Sequence, residues 1–90
     1  MANKRQLKKT INMVTGDLLV ECIATKYINK ESRQEDVDNV MVGILRMQDG
    51  FICRVRHPDP GMPAKQYFKA LRDDLAKQAD AIVNQLYAIV

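Results

Sequence analysis

The fold class of this chain is decided by residues 68–89, which read FKALRDDLAKQADAIVNQLYAI. Apolar side chains return along this stretch at intervals of three or four positions, which places them on one side of an α-helix. The stripe consists of Phe68, Leu71, Leu75, Ala79, Ile82, Leu86 and Ile89. Because Pro63 suits the first position of a helix, we predict helix three from about residue 63 to about residue 89.

Helix one is predicted over about residues 4–28 by the same periodicity. Asn3 with Gln6 can cap its N-terminus, and Asn29 suits the left-handed position that ends a helix. One stripe is expected to face the core: Leu7, Ile11, Val14, Leu18, Cys22 and Thr25. Five residues beside it are expected to face solvent: Asn12, Thr15, Asp17, Glu21 and Lys26.

Helix two is predicted over about residues 33–56, after the capping box formed by Ser32 and Glu35. Its core face should hold Val37, Val40, Met41, Ile44, Leu45, Met47, Phe51, Ile52 and Val55. Asp49-Gly50 is also typical of hairpin turns, so the helix either continues through it or ends at Gln48 with residues 51–56 extended. We favour continuation, because Phe51 keeps the helical period. It costs about 1 kcal/mol for Gly50.

Residues 57–62, which read HPDPGM, cannot continue a helix because each proline disfavours helical geometry at the preceding residue. Short connections between long helices make sequential helices antiparallel. We therefore predict one all-α domain over residues 1–90, with three long helices running up-down-up. The sequence leaves open whether they form a bundle or a flat layer.

Composition describes an ordinary soluble chain. It has 90 residues, a net charge of +3 and 47% apolar residues. Apolar runs fall short of the ~18 residues that cross a bilayer, and we expect neither a signal peptide nor membrane association. Cys22 and Cys53 are expected to be reduced thiols in a cytoplasmic protein.

Helix one carries a second apolar stripe, about 180° from Leu18. This seam is formed by Met13, Gly16, Val20, Ile23 and Tyr27, and Leu19 and Ala24 broaden it. A helix that is apolar on two opposite sides must be covered on both or leave an exposed patch. The seam could be a homodimer interface, it could lie against another helix of a flat layer, or it could receive the helix of another protein.

Basic residues gather at the end where helix one begins, helix two ends and helix three begins. This basic pole consists of Lys4, Arg5, Lys8, Lys9, Arg54, Arg56 and Lys65. Arg54, Arg56 and His57 can complement the negative end of helix two, and we expect His57 to cap it. Cations at helix N-termini are unfavourable, so the pole is either an anion or nucleic-acid site or a solvated charge cluster.

The sequence contains residue types that often take part in catalysis or metal binding, but their spacing does not bring them together. His57 is a lone histidine, and helical geometry places Cys22 and Cys53 about 20 Å apart, too far for a disulfide. The adjacent Asp73 and Asp74 point about 100° apart on a helix and do not converge on one metal ion. We therefore expect no catalytic, metal or cofactor site, and no enzyme.

Several local motifs support a resemblance. Residues 1–9 with Gly16-Asp17-Leu18 and Glu21-Cys22, followed by Cys53-Arg54-Val55 and residues 57–62, resemble a group of small uncharacterised helical proteins of gut Bacteroidetes. The resemblance implies a bacterial, cytoplasmic setting and supplies neither a function nor site residues. The residues themselves favour a non-catalytic interaction module that self-associates through helix one. The alternative is a weak anion or nucleic-acid binder that uses the basic pole.

Overall fold

Three antiparallel helices form a rod in the computed structural model, which describes residues 4–28 and 34–89. They are α1 (Lys4–Ile28), α2 (Gln34–Arg56) and α3 (Ala64–Ile89), and the described residues contain no strand. The rod measures 49 × 19 × 17 Å. The prediction of an all-α, up-down-up chain is confirmed. The caps assigned to Asn3, Asn29 and Ser32 lie outside the described residues.

The helices form a bundle and not a flat layer, because all three contribute to each of two core clusters. Buried residues of the first cluster are Leu7, Ile11, Phe51, Val55, Leu71 and Leu75. Buried residues of the second are Leu18, Cys22, Val37, Ile44, Ile82 and Leu86. The half-buried Val14 and Met47 pack against both clusters and join them along the rod.

The core side of α1 is shifted slightly from its predicted position. Val14 and Thr25 are half-buried, whereas Thr15, which we expected to face solvent, is only 1% exposed. Thr15 lies about 60° from Leu18 around the helix, within the arc that two neighbouring helices cover. Its hydroxyl donates to the Ile11 carbonyl at 2.7 Å, so the buried polar group is satisfied within its own helix.

In α2, the helix continues through Asp49-Gly50, as predicted, and places Phe51 and Val55 in the core. The prediction that Leu45 faces the core is wrong, because its side chain is 48% exposed. Leu45 lies about 100° from the fully buried Ile44, at the edge of the arc that a three-helix bundle covers.

A short connection joins α2 to α3 and is held by local hydrogen bonds. The Asp59 side chain accepts the Gly61 amide at 2.8 Å, and the Asp59 carbonyl accepts the Met62 amide at 3.2 Å. The expected core residues Leu71, Leu75, Ile82 and Leu86 of α3 are buried. Phe68, also expected in the core, is half-buried and packs against the first cluster.

Candidate interaction surfaces

The predicted seam of α1 is exposed along its whole length. Val20 is 64% exposed and Tyr27 is 73% exposed, and Met13 and Ile23 are also exposed. Gly16 lies between them with open space where a side chain would project. Because the bundle leaves this side of α1 uncovered, the reading in which the seam lies against another helix of a flat layer is wrong. Leu19, which was expected to broaden the seam, instead packs against the second core cluster.

Two exposed residues of α2 extend the apolar surface and were not predicted to do so. Val42 and Leu45 are both nearly half exposed. They follow Asp38 by four and seven positions, so all three share one side of α2. Asp38 accepts a hydrogen bond from Lys26 of α1 at 2.7 Å, which shows that this side of α2 borders α1. The spacing of Val42 and Leu45 could have indicated one exposed stripe on α2, but not that the stripe borders α1, and Leu45 had been assigned to the core.

Polar contacts between α1 and α2 mark both ends of this surface. Lys26 pairs with Asp38 at one end, and at the other the Gln48 amide donates to Asn12 Oδ1 at 2.8 Å. Residues 12 and 26 are about 21 Å apart along the helix axis. We call the surface the apolar face, and it consists of Met13, Gly16, Val20, Ile23 and Tyr27 of α1 with Val42 and Leu45 of α2.

The basic pole is brought together at one end of the rod, where α1 and α3 begin and α2 ends. Neither α1 nor α3 has an acidic residue in its first turn. Among the described residues, no carboxylate pairs with six members of the pole. These six are Lys4, Arg5, Lys8, Lys9, Arg56 and Lys65.

Arg54, the seventh residue assigned to the basic pole, is engaged inside the fold. Its Nη2 lies 3.1 Å from Asp74 Oδ2, and its guanidinium carbon lies 5.2 Å from the centroid of the Phe51 ring. The ion pair with Asp74 joins α2 to α3, and the cation–π contact with Phe51 holds the guanidinium against its own helix. Because its charge is already compensated, Arg54 does not belong with the six unpaired cations as a candidate anion ligand.

The C-terminal end of α2 is capped in a way that the sequence did not indicate. The Tyr67 hydroxyl of α3 donates to the Arg54 carbonyl at 3.0 Å, while His57 contributes its backbone amide, which bonds to the Cys53 carbonyl at 2.9 Å. The Tyr67 ring also meets Phe68 edge to face, with centroids 5.5 Å apart. Tyr67 therefore satisfies a carbonyl that we had expected the His57 side chain to complement.

The two cysteines have different surroundings. Cys22 is buried, as expected for the core stripe, Cys53 is exposed, and both are free. Burial, with a smaller contribution from Glu21, raises the pKa of the Cys22 thiol above its usual value of 9.0. In the part of the chain that the structure describes, no three histidine, cysteine, aspartate or glutamate side chains gather as a metal site requires.

A further open surface lies between α2 and α3. It is a groove of about 540 Å³ whose lining includes Gly43 and Met47 of α2 and Gln78, Ala81 and Gln85 of α3. The space follows from the small side chains, because no atom lies within 4 Å of the position that a Cβ at Gly43 would occupy. Small residues alone do not define a ligand, so the groove is a packing feature of the bundle.

Comparison of the chain with family models, with curated proteins and with solved structures finds no match. The resemblance to the Bacteroidetes group therefore stays a prediction. Over the residues that the structure describes, none of the helices combines the length and apolarity needed to cross a membrane. The class of the molecule is that of a small three-helix bundle with an exposed apolar face.

Proposed function

We propose that this protein is a non-catalytic interaction module of the bacterial cytoplasm and that it forms a homodimer through the apolar face. The observation that carries the proposal is the exposed seam of α1, whose apolar positions recur with the spacing of a helix–helix interface. Two free thiols support a reducing compartment.

The size of the apolar face makes association energetically reasonable. Fully burying a large apolar side chain contributes about 1.5–3 kcal/mol, so covering the exposed part, about half, of six such side chains contributes about 5–10 kcal/mol per copy. Those six are Met13, Val20, Ile23, Tyr27, Val42 and Leu45. Association costs about 4–15 kcal/mol in lost freedom, and two copies together exceed most of that range.

The proposal is tested by sedimentation or size-exclusion measurements of the wild type and of two matched variants. Val20→Asp with Ile23→Asp removes four apolar side chains from a dimer, and we expect its dissociation constant to rise about a thousand-fold or more. Tyr87→Asp changes an equally exposed side chain outside the apolar face, and this control should remain a dimer. Circular dichroism should show that both variants are folded. A wild type that sediments as a monomer throughout the micromolar range would refute the proposal.

The second candidate function is binding of an anion or a nucleic-acid backbone at the basic pole. The observation that favours it is the group of six unpaired cations at the end of the rod where α1 and α3 begin. Three of them, Lys4, Arg5 and Lys65, lie in the first turn of a helix, where a cation costs about 0.3–1 kcal/mol. A bound anion at this end would offset the repulsion between these cations and the positive ends of the helix dipoles.

Binding to duplex DNA at low salt tests this candidate. Lys4→Glu with Arg5→Glu should abolish binding, and the affinity of the wild type should fall steeply as salt rises. Arg46→Glu with Lys77→Glu changes the net charge equally at exposed positions away from the pole, and it should bind almost as well as the wild type. Equal binding by the two double variants would exclude the basic pole as the site.

A further inference from the structure

The two ends of the apolar face carry opposite charge. Lys4, Arg5, Lys8 and Lys9 occupy the start of α1, and no described carboxylate pairs with them. Glu35, Asp36 and Asp38 occupy the start of α2, which lies beside the end of α1, as the Lys26–Asp38 ion pair shows. We call these three residues the acidic end; because Lys26 compensates Asp38, Lys26 and the acidic end together carry a net charge of −2. The seam of α1 therefore runs from a strongly basic end to an acidic one.

This polarity distinguishes the two symmetric ways in which a second copy of α1 can lie along the seam. Parallel packing places the two basic poles side by side and the two acidic ends side by side, so both contacts are repulsive. Antiparallel packing places each basic pole beside the acidic end of the other copy, so both contacts are attractive. Complementary charge of this kind fixes orientation and register more than it adds affinity.

We infer that the second copy of this chain binds the apolar face antiparallel, with the basic pole of each copy beside the acidic end of the other. The inference rests on the homodimer proposed above and specifies its geometry. It also gives the basic pole a binding partner within the dimer, namely Glu35 of the second copy, because Asp38 is paired with Lys26 and Asp36 lines the groove between α2 and α3.

The spacing of the seam residues allows two antiparallel copies of α1 to pack against each other in a defined register. Their spacing of three and four allows Met13 to lie opposite Ile23 of the second copy and Gly16 opposite Val20. Gly16 has open space in the single chain, so a side chain of the second copy can approach its backbone closely. Continuing the register by one turn brings Lys9 opposite the exposed Tyr27 ring, where a cation–π contact can form.

Spin labels on single cysteines measure the orientation directly. The background is Cys53→Ser, because Cys53 is the exposed thiol and Cys22 is buried. A label at Thr10→Cys lies beside residue 26 of the second copy in the antiparallel register, so the two labels are separated by about 24 Å along the axis. In parallel packing they are about 10 Å apart, the usual spacing of packed helices.

A label at Asp17→Cys provides the matched control, because position 17 lies close to the two-fold axis. Antiparallel packing offsets the two labels by about 3 Å along the axis, so they are near each other in either orientation. Coupling at Asp17→Cys with a long distance at Thr10→Cys supports the inference. Short distances at both positions overturn the antiparallel arrangement alone. No coupling at either position overturns the homodimer and this inference with it, and it leaves the helix of another protein as the occupant.

Charge and salt give a second, independent measurement. The antiparallel wild type should dissociate more readily as NaCl rises from about 0.05 to about 0.5 M, whereas a parallel dimer should tighten. Lys9→Glu should weaken the dimer several-fold, while Lys77→Glu makes the same charge change on exposed α3 and should leave it unchanged. Tightening by salt or by Lys9→Glu would contradict the antiparallel arrangement.

Discussion

Replacing Gly50 by alanine should stabilise the protein, because Gly50 lies inside α2 without a structural reason for being glycine. It is exposed, it follows Asp49 in an uninterrupted helix, and no atom lies within 4 Å of the position that a Cβ would occupy. Alanine therefore meets no clash and gains no contact. The change isolates the difference in backbone freedom between the two residues.

The magnitude follows from helix propensity. Glycine is about 0.8–1.0 kcal/mol less favourable than alanine in a helix interior, so the free energy of unfolding should rise by about 1 kcal/mol. For a domain of this size, that corresponds to a midpoint increase of about 4–8 °C. Gly43→Ala has the same open surroundings and lies about 10 Å away along the helix, so the double variant should gain about 2 kcal/mol.

Urea unfolding followed by circular dichroism measures these gains. The variants should be compared in the Val20→Asp, Ile23→Asp background, because the proposed dimer would add to the apparent stability of the wild type. A loss of stability in Gly50→Ala would refute the reasoning, since it would show that α2 is not regular at Asp49-Gly50 or that the groove side of α2 is closely covered. An unchanged midpoint would show that the helix at this position is already frayed.

Three further predictions concern single contacts. Gly16→Ala should stabilise the monomer by about 1 kcal/mol, for the same reason as Gly50→Ala. In sedimentation it should weaken the proposed dimer, because the new methyl group keeps the second copy away from the backbone of α1. An unchanged dissociation constant would exclude a contact at Gly16. Tyr67→Phe should lower the free energy of unfolding by about 0.5–1.5 kcal/mol in urea titrations through loss of the hydrogen bond to the Arg54 carbonyl, and a neutral result would show that water replaces it. Because the folded pKa of Cys22 is raised, its contribution to stability is complete below the unfolded pKa and is lost as pH rises through the folded pKa. As pH rises above about 9, the unfolding free energy of the wild type should therefore fall relative to that of Cys22→Ala, and parallel curves would contradict the raised pKa.

Sequence periodicity was sufficient for the helices, because each segment repeats its apolar residues with the α-helical period over many turns. Periodicity did not predict how far around each helix the buried side extends. Thr15 and Leu45 lie about 60° and 100° from the centres of their core stripes, and which of them is covered depends on how the neighbouring helices approach. Thr15 is covered and Leu45 is not. A helical projection of one segment contains no information on that approach.

For the candidate surfaces too, the positions on one helix could be predicted from the sequence, whereas the contacts between helices could not. The seam of α1 could be identified because five positions repeat on the side opposite Leu18, and the structure shows that they are exposed. Val42 could not be assigned to the same surface, since its position beside α1 depends on the contact between Lys26 and Asp38. Arg54 was assigned to the basic pole, but it pairs with Asp74, which is twenty positions away and is brought close only by the packing of α3 against α2.

Two features of α1 conflict with the usual rules for a helix at a protein surface. Its outer side exposes large apolar residues such as Val20 and Tyr27, and its first turns carry cations where the helix dipole favours anions. In proteins that otherwise satisfy local rules, such conflicts concentrate where the molecule binds something. An antiparallel second copy removes both conflicts at once, because it covers the apolar side and brings Glu35 and its neighbours to the cations. A partner that covered only the apolar side would leave the cations uncompensated, and for this reason the charge distribution favours a second copy of the chain over an uncharged helix.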